Sequence, residues 1–203
     1  MGTESGSEIV GIVPAAGAGS RLAPYPGSKE LFPIGHQTLH IGGFAEERPK
    51  VISQYLLENM MSAGVRKYYF IISHGKYDIV SYYGNGDSFG ASISYLFQAR
   101  LAGMPYAIDL ATPWLAENAT VVMGMPDTVI EPPDAFRLLV AAHRGWQADL
   151  TLGLFHTDRP HKFGMVGIDA DANVTEHIDK PQVTTHLSWL WGMACWGPRF
   201  TRL

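Results

Sequence analysis

The residues Ile9 to Val13 form a short β-branched apolar run that passes directly into a stretch of small residues, Pro14 to Ser20. A run this short and without alternation reads as a strand buried on both faces, followed by a loop at its carboxyl end. A chain that begins so is confined to few architectures if strands and helices go on alternating, and here they do. Apolar positions at helical spacing, Val51, Ile52, Tyr55, Leu56 and Met60, lead to Gly64 as a stop. Candidate strands at Lys67 to Ser73, Ser92 to Phe97, Thr120 to Gly124 and Leu150 to Phe155 are separated by helical stretches near Tyr77 to Tyr83, Tyr106 to Leu115 and Asp134 to Arg144, the last opened by Pro132 and Pro133. That rhythm predicts an α/β fold, a mostly parallel sheet with crossover helices in a three-layer sandwich.

After Phe155 the texture changes. Met165 to Ile168 and Val174 to Ile178 flank the polar turn Asp169 to Asn173, which predicts an antiparallel extension near the C-terminus. His36 to Glu47 has no clear periodicity and contains Gly42-Gly43, so a loop or short hairpin is expected there. A length of 203 residues suits one domain, 1–203, with a core of its own.

A formal charge of −4 provides no general attraction for nucleic acid or an anionic membrane surface, so a polyanionic partner requires a local cationic site. Cys195 is the single cysteine, no apolar run approaches bilayer length, and Met1 to Glu8 lacks the basic-then-apolar order of a secretory signal; a cytoplasmic location is the expectation. The histidines show no zinc-ligand spacing, Arg66 and Lys67 read as a solvated turn, and Trp189, Trp191 and Trp196 read as packing residues on a strand.

The chemical signal lies in Ala15-Ala16-Gly17-Ala18-Gly19-Ser20-Arg21, directly after the first strand. Small side chains let backbone N–H groups approach phosphate oxygens, and glycine can take positive φ. Arg21 adds a forked donor and Lys29 a mobile point charge, which together suit a triphosphate. The spacing fits neither the P-loop nor the dinucleotide fingerprint, because the second strand ends in Ser73-His74-Gly75 rather than an acidic ribose ligand.

The stretch "GIVPAAGAGSRLAPYPGSKELFPIG" resembles the signature loop of sugar-phosphate nucleotidyltransferases, the group containing glucose-1-phosphate thymidylyl-, uridylyl- and cytidylyltransferases. "RPKVISQYLLENMMSAGVRKYYFII" is similar to the next block of that family, "VVMGMPDTV" to its Gly-Asp metal motif, "KFGMVGID" to its sugar-side glycine block and "HIDKP" to its Glu-Lys-Pro block, all in family order. The resemblance implies a Rossmann-like fold and transfer of a nucleoside monophosphate from a nucleoside triphosphate, pyrimidine favoured, to a sugar 1-phosphate, with release of pyrophosphate and help from Mg²⁺. Position by position it implies that Gly17, Ser20 and Arg21 hold the triphosphate, with Ala16 and Gly19 in the same nucleotide-binding stretch, while Lys29 neutralises the leaving pyrophosphate. Gln98 falls where the family reads the pyrimidine edge and Gly103 near the base. Asp127 matches the metal carboxylate, and Gly164, Asp179, Lys180 and Gly192 match positions around the sugar 1-phosphate, with Lys180 on its phosphate. Arg21, Lys29 and Lys180 would be the catalytic cations.

Four departures qualify the pattern. Lys29 follows Arg21 by eight residues, a shorter gap than usual, Asp179 replaces the family's Glu, and Met125-Pro126 intervenes between Gly124 and Asp127. The chain stops at Leu203, before the position where the family supplies a second metal-binding aspartate, so part of the C-terminal region is expected to be lacking and activity to be reduced. A cytidylyl transfer to a non-sugar phosphate, a nucleotide-binding module without turnover and a truncated fragment are the competing expectations. Oligomers are common in the family, and nothing in the sequence fixes a number of subunits.

Overall fold

The computed structural model describes residues 7–202, without the side chains of Arg21 and Ile41. The leading stretch expected to carry no signal lies, through residue 6, outside the described residues. The described chain forms ten strands: β1 Ile9–Pro14, β2 Pro33–Ile41, β3 Phe44–Val51, β4 Lys67–Ile72, β5 Ser92–Phe97, β6 Thr120–Gly124, β7 Leu150–His156, β8 Gly164–Ile168, β9 Val174–Asp179 and β10 Trp189–Trp196. Helices are α1 Ile52–Ser62, α2 Tyr77–Tyr83, α3 Met104–Asp109, α4 Ala135–Trp146 and α5 Pro198–Thr201.

The main sheet has the order β5-β4-β1-β6-β10-β8-β9, with β7 also paired to β10. Its first four strands are parallel. The remaining pairings, of β10 with β6, β7 and β8 and of β8 with β9, are antiparallel. This is the mostly parallel α/β sheet with a C-terminal antiparallel extension that the alternation predicts. Side chains of β1 alternate between two cores: Val13 joins Leu56, Leu57, Met60, Phe70 and Phe136 on the face covered by α1, α2 and α4. Val10 and Ile12 join Tyr69, Ile71, Ala107 and Met123 on the α3 face. Both faces are therefore dry, which is why β1 and β4 show unbroken apolar runs.

Helix α1 ends where the sequence says it should. Gly64 takes φ 89°, which a side chain would oppose, its N–H donates to the Met61 carbonyl, and the Val65 N–H returns to the Met60 carbonyl. Two carbonyls that the helix end would leave unpaired are thereby satisfied. The helix expected over Tyr106 to Leu115 is instead divided: α3 stops at Asp109 and Pro113 lies in a separate 3-10 turn, Thr112–Trp114. Proline lacks the N–H and the space to continue an α-helix.

His36 to Glu47 belongs to a long hairpin in which β2 and β3 pair from Pro33↔Val51 out to Ile41↔Phe44, turning at Gly42-Gly43. Most of it faces water on both sides, with Phe44 75% exposed. A hairpin with no dry face has no reason to alternate apolar and polar residues, so its length is invisible to periodicity.

β10 joins the two parts of the sheet. β7 runs along its whole length on one flank. On the other, β6 pairs with Met193 to Trp196 and β8 with Trp189 and Leu190. β8 thus takes up the flank of β10 that β6 leaves after Gly124, and on the opposite flank the pairing with β7 has a register shift between Trp191 and Met193.

Candidate active site

β1 and β6 are parallel neighbours, so the loops leaving their carboxyl ends rise side by side. From β1 the chain crosses to β4 and β5 on one side and then returns to β6 on the other. The gap between β1 and β6 is therefore the switch point at which open α/β sheets form their crevices. A cleft of about 610 Å³ opens there, lined by Gly17, Ala18, Gly19, Ser20, Lys29 and Asp127, with Leu22, Phe32 and Ile52 as its apolar wall.

The loop after β1 is fixed from beneath. The Ala15 N–H donates to the Ile71 carbonyl at 2.8 Å and the Ser73 hydroxyl to the Ala16 carbonyl at 2.7 Å. Ala16 is buried, whereas Gly17, Ala18 and Ser20 are exposed to the cleft. Gly19 takes φ 66°, a left-handed conformation suited to glycine, and starts the 3-10 turn Ser20–Leu22. The backbone of Arg21 lies in that turn at the cleft; its side chain is outside the described residues.

Lys29 projects from the 3-10 turn Lys29–Leu31, and its Nζ donates to Asp127 Oδ2 at 2.5 Å. The turn is clamped on both sides of Lys29 by residues at the start of α2. Asp78 accepts from the Ser28 N–H at 2.7 Å and from its hydroxyl at 2.6 Å. Lys76 Nζ donates to Glu30 Oε2 at 2.7 Å, a buried ion pair. Burial disfavours the charged form of Asp78, but the two Ser28 donors and the Ile79 N–H outweigh it and hold the carboxyl below its usual range.

Asp127 sits in a turn after β6 closed by the Thr128 N–H on the Met125 carbonyl. The chain beyond it is tied down by Asn59 of α1, which is buried. Asn59 donates to the carbonyls of Ile130 and Pro132 and accepts from the Phe136 N–H at the start of α4, each at 3.1 Å. Met125 and Pro126 therefore shift Asp127 along the chain without removing it from the cleft.

Gln98 follows β5, is buried, and donates from Nε2 to the Gly103 carbonyl at 3.3 Å, bringing together the two positions expected near a base. The residues expected around the sugar 1-phosphate form a separate group. Gly164 pairs with Asp179 across β8 and β9, and the Lys180 N–H donates to the Phe163 carbonyl. Lys180 has φ 47°, and its ammonium lies 3.2 Å from Asp179, both side chains being about 60% exposed. The space beside both glycines is filled by aromatic rings: a methyl on Gly164 would meet Trp191 Nε1 at 2.5 Å and one on Gly192 would meet Phe155 Cε2 at 2.9 Å. Gly192 lies at the register shift of β10, along which β6 gives way to β8.

Among the described residues no three His, Cys, Asp or Glu side chains converge as a metal cage, and no helix is long and apolar enough to cross a membrane. Asp127 is the carboxylate that faces the cleft. Sequence reasoning missed Glu30, Lys76, Asp78 and Asn59. Only Asn59, a polar residue inside the apolar helix segment "YLLENMM", leaves a signal that could have been used.

The profile of the nucleotidyl transferase family matches residues 10–190. A low-salt glycan biosynthesis nucleotidyltransferase of Haloferax volcanii is 27% identical over 93% of this chain and 49% of its own length. A glucose-1-phosphate thymidylyltransferase of Streptomyces antibioticus is 25% identical over 84% of this chain and 44% of its own. The chain thus spans about half the length of these relatives. In fold it is similar to a putative glucose-1-phosphate thymidylyltransferase of Bacillus anthracis solved with a sucrose, with TM-score 0.80, 21% identity and coverage of 96% of this chain and 73% of that one. It is also similar to a UDP-glucose pyrophosphorylase solved with UDP-glucose, with TM-score 0.72, 15% identity and coverage of 96% and 78%. With the match extending over nearly the whole sheet and both sides of the cleft, the chain belongs to the nucleotidyl transferase family.

Proposed function

We propose that the protein transfers a nucleoside monophosphate from a nucleoside triphosphate, pyrimidine in preference to purine, to a sugar 1-phosphate and releases pyrophosphate. The observation that carries this is the convergence of the small-residue loop, Lys29 and Asp127 on one cleft at the switch point of the sheet. The name of one relative, a glucose-1-phosphate thymidylyltransferase, supports the same reading.

In this reaction an oxygen of the sugar phosphate attacks the α-phosphorus, the bond from that phosphorus to the bridging oxygen breaks, and its electron pair leaves with pyrophosphate. No covalent enzyme intermediate is needed; positioning and charge neutralisation carry the catalysis. The N–H groups of Gly17 to Ser20 would bind triphosphate oxygens, Lys29 would turn from Asp127 to the departing pyrophosphate, and Arg21 would add a second cation. Gln98 and Gly103 would meet the base. Lys180 would draw in the acceptor phosphate, with Gly164, Asp179 and Gly192 around the sugar.

A single cleft-facing carboxylate fits a magnesium ion, which keeps several waters and takes phosphate oxygens as its other ligands. Asp127 would hold it, and when bound it would supply positive charge against the phosphates. A cytoplasmic setting, with its supply of nucleoside triphosphates, suits this chemistry. The test is pyrophosphate release with UTP, dTTP, CTP, ATP and GTP, each against a panel of sugar 1-phosphates and one non-sugar phosphate. Turnover with a pyrimidine triphosphate and a sugar 1-phosphate is expected. Turnover restricted to the non-sugar phosphate would reassign the acceptor, and none in any pairing would overturn the catalytic reading.

A further inference from the structure

Behind the cleft, charges alternate in a line: Asp127, Lys29, Glu30, Lys76. Glu30 is 1% exposed, and its Oε2 is taken by Lys76. Its Oε1 is buried without a hydrogen-bond partner, the one side-chain atom so placed among the described residues. That oxygen stands 3.8 Å from Lys29 Nζ, which is itself held at 2.5 Å by Asp127. A buried carboxylate oxygen lacking a donor is unfavourable, and native structures keep few of them. The donor it lacks is next to it. An ammonium carries three N–H groups, and Asp127 engages one.

We propose that Glu30 is a positioning residue for Lys29, its Oε1 being the acceptor that holds the ammonium when a polyphosphate draws it away from Asp127. The inference rests on the cleft being a polyphosphate site, as argued above. The two carboxylates differ in the way this role requires. Asp127 is one-third exposed on a surface turn, while Glu30 is buried and fixed by Lys76. The neighbouring Ser28 is pinned by Asp78, so Oε1 occupies a set place beside the cleft. A movement of the ammonium by about 1 Å brings it within hydrogen-bond range of Oε1, leaving its other N–H groups for phosphate oxygens. Lys76 cancels the charge of Glu30, so the second acceptor adds little repulsion toward the anion. Without it, a flexible lysine leaving Asp127 would have only solvent to order it.

The experiment is calorimetric titration of the full chain with inorganic tripolyphosphate in magnesium buffer. Lys29→Met is expected to weaken binding about tenfold or more, and Glu30→Gln about fivefold. The combination of the two is expected to bind no more weakly than Lys29→Met alone, because Glu30 acts through Lys29. Glu30→Gln leaves the Lys76 ammonium without its counter-charge, so Glu30→Leu/Lys76→Met, which removes both charges of the buried pair and every acceptor at position 30, is measured beside it and is expected to show the same loss. Glu30 variants that bind like the wild type, or losses that add to that of Lys29→Met as a general structural defect would, overturn the proposal. Failure of the wild type to bind tripolyphosphate, or equal binding by Lys29→Met, overturns the polyphosphate reading and the inference with it.

Discussion

Lys29 and Lys180 are both proposed to meet phosphate, yet the protein treats them in opposite ways. Lys29 is flanked by Ser28 and Glu30, each fastened to the first turn of α2, and its ammonium already sits on a carboxylate inside the cleft. Lys180 sits at the end of an edge strand, with about 60% of its side chain in water, paired among the described residues only with the adjacent Asp179 at 3.2 Å. A pair that exposed contributes about 0–1 kcal/mol. The difference teaches where the protein has invested its order: the side proposed for the nucleotide is assembled before any ligand arrives, and the side proposed for the acceptor is left for a ligand to organise. Lys180 has one rigid attribute, its backbone, which is held in the left-handed region with its N–H on the Phe163 carbonyl.

The contrast can be broken experimentally. The largest effect is expected from Lys29→Met, which should lower kcat/KM for pyrophosphate release about 100- to 1,000-fold, the range for removing one preorganised charge donor. A loss under about fivefold would remove Lys29 from the centre of the scheme. Next is Asn59→Leu, which leaves the Ile130 and Pro132 carbonyls and the Phe136 N–H without their partner. It should destabilise the fold by roughly 3 kcal/mol, read by urea unfolding, since buried polar groups would be orphaned. Lys180→Met should raise KM for the sugar 1-phosphate about tenfold while the melting temperature stays put, as its side chain holds nothing else in place. A large drop in melting temperature would show that the acceptor side is built as firmly as the other.

The smallest effect concerns acid. The folded-state pKa of Asp78 is lowered, so its stabilising contribution is present above its ordinary value near 3.9 and is lost as pH falls through the lowered value. Between about pH 5 and pH 2, wild-type stability should fall more steeply than that of Asp78→Asn. Buried His143 behaves in the same direction at higher pH: burial first, then the Arg144 charge, lower its pKa, so its contribution fades as pH drops below its ordinary value near 6.5. Parallel curves for wild type and Asp78→Asn would show that the clamp on Ser28 does not depend on charge.

The parallel sheet was legible because its central strands β1, β4 and β6 are buried on both faces and carry mostly unbroken apolar runs, as in "KYYFII" of β4. The long hairpin was not, because residues such as Leu39 and Phe44 face water and nothing enforces alternation. Gly17, Ser20, Lys29 and Asp127 stand out in the sequence by their order along the chain, and the fold brings them to one cleft. Their supports were hidden by distance. Lys76 lies 46 residues from Glu30, Asp78 50 residues from Ser28, and Asn59 71 residues from Ile130. No local pattern announces such a partner; it is recognisable once the fold has placed α1 and α2 beside the loops they hold.

The strand β10 borders β6 at one end and β8 at the other. The spacing between the platforms proposed for nucleotide and acceptor is consequently measured in residues of one continuous ribbon, about 3.3 Å at each step. Deleting Gly192, the extra residue at the register shift with β7, would shorten that ruler by one step. The two halves would then keep their own pairings while the atoms they present to each other fell out of line.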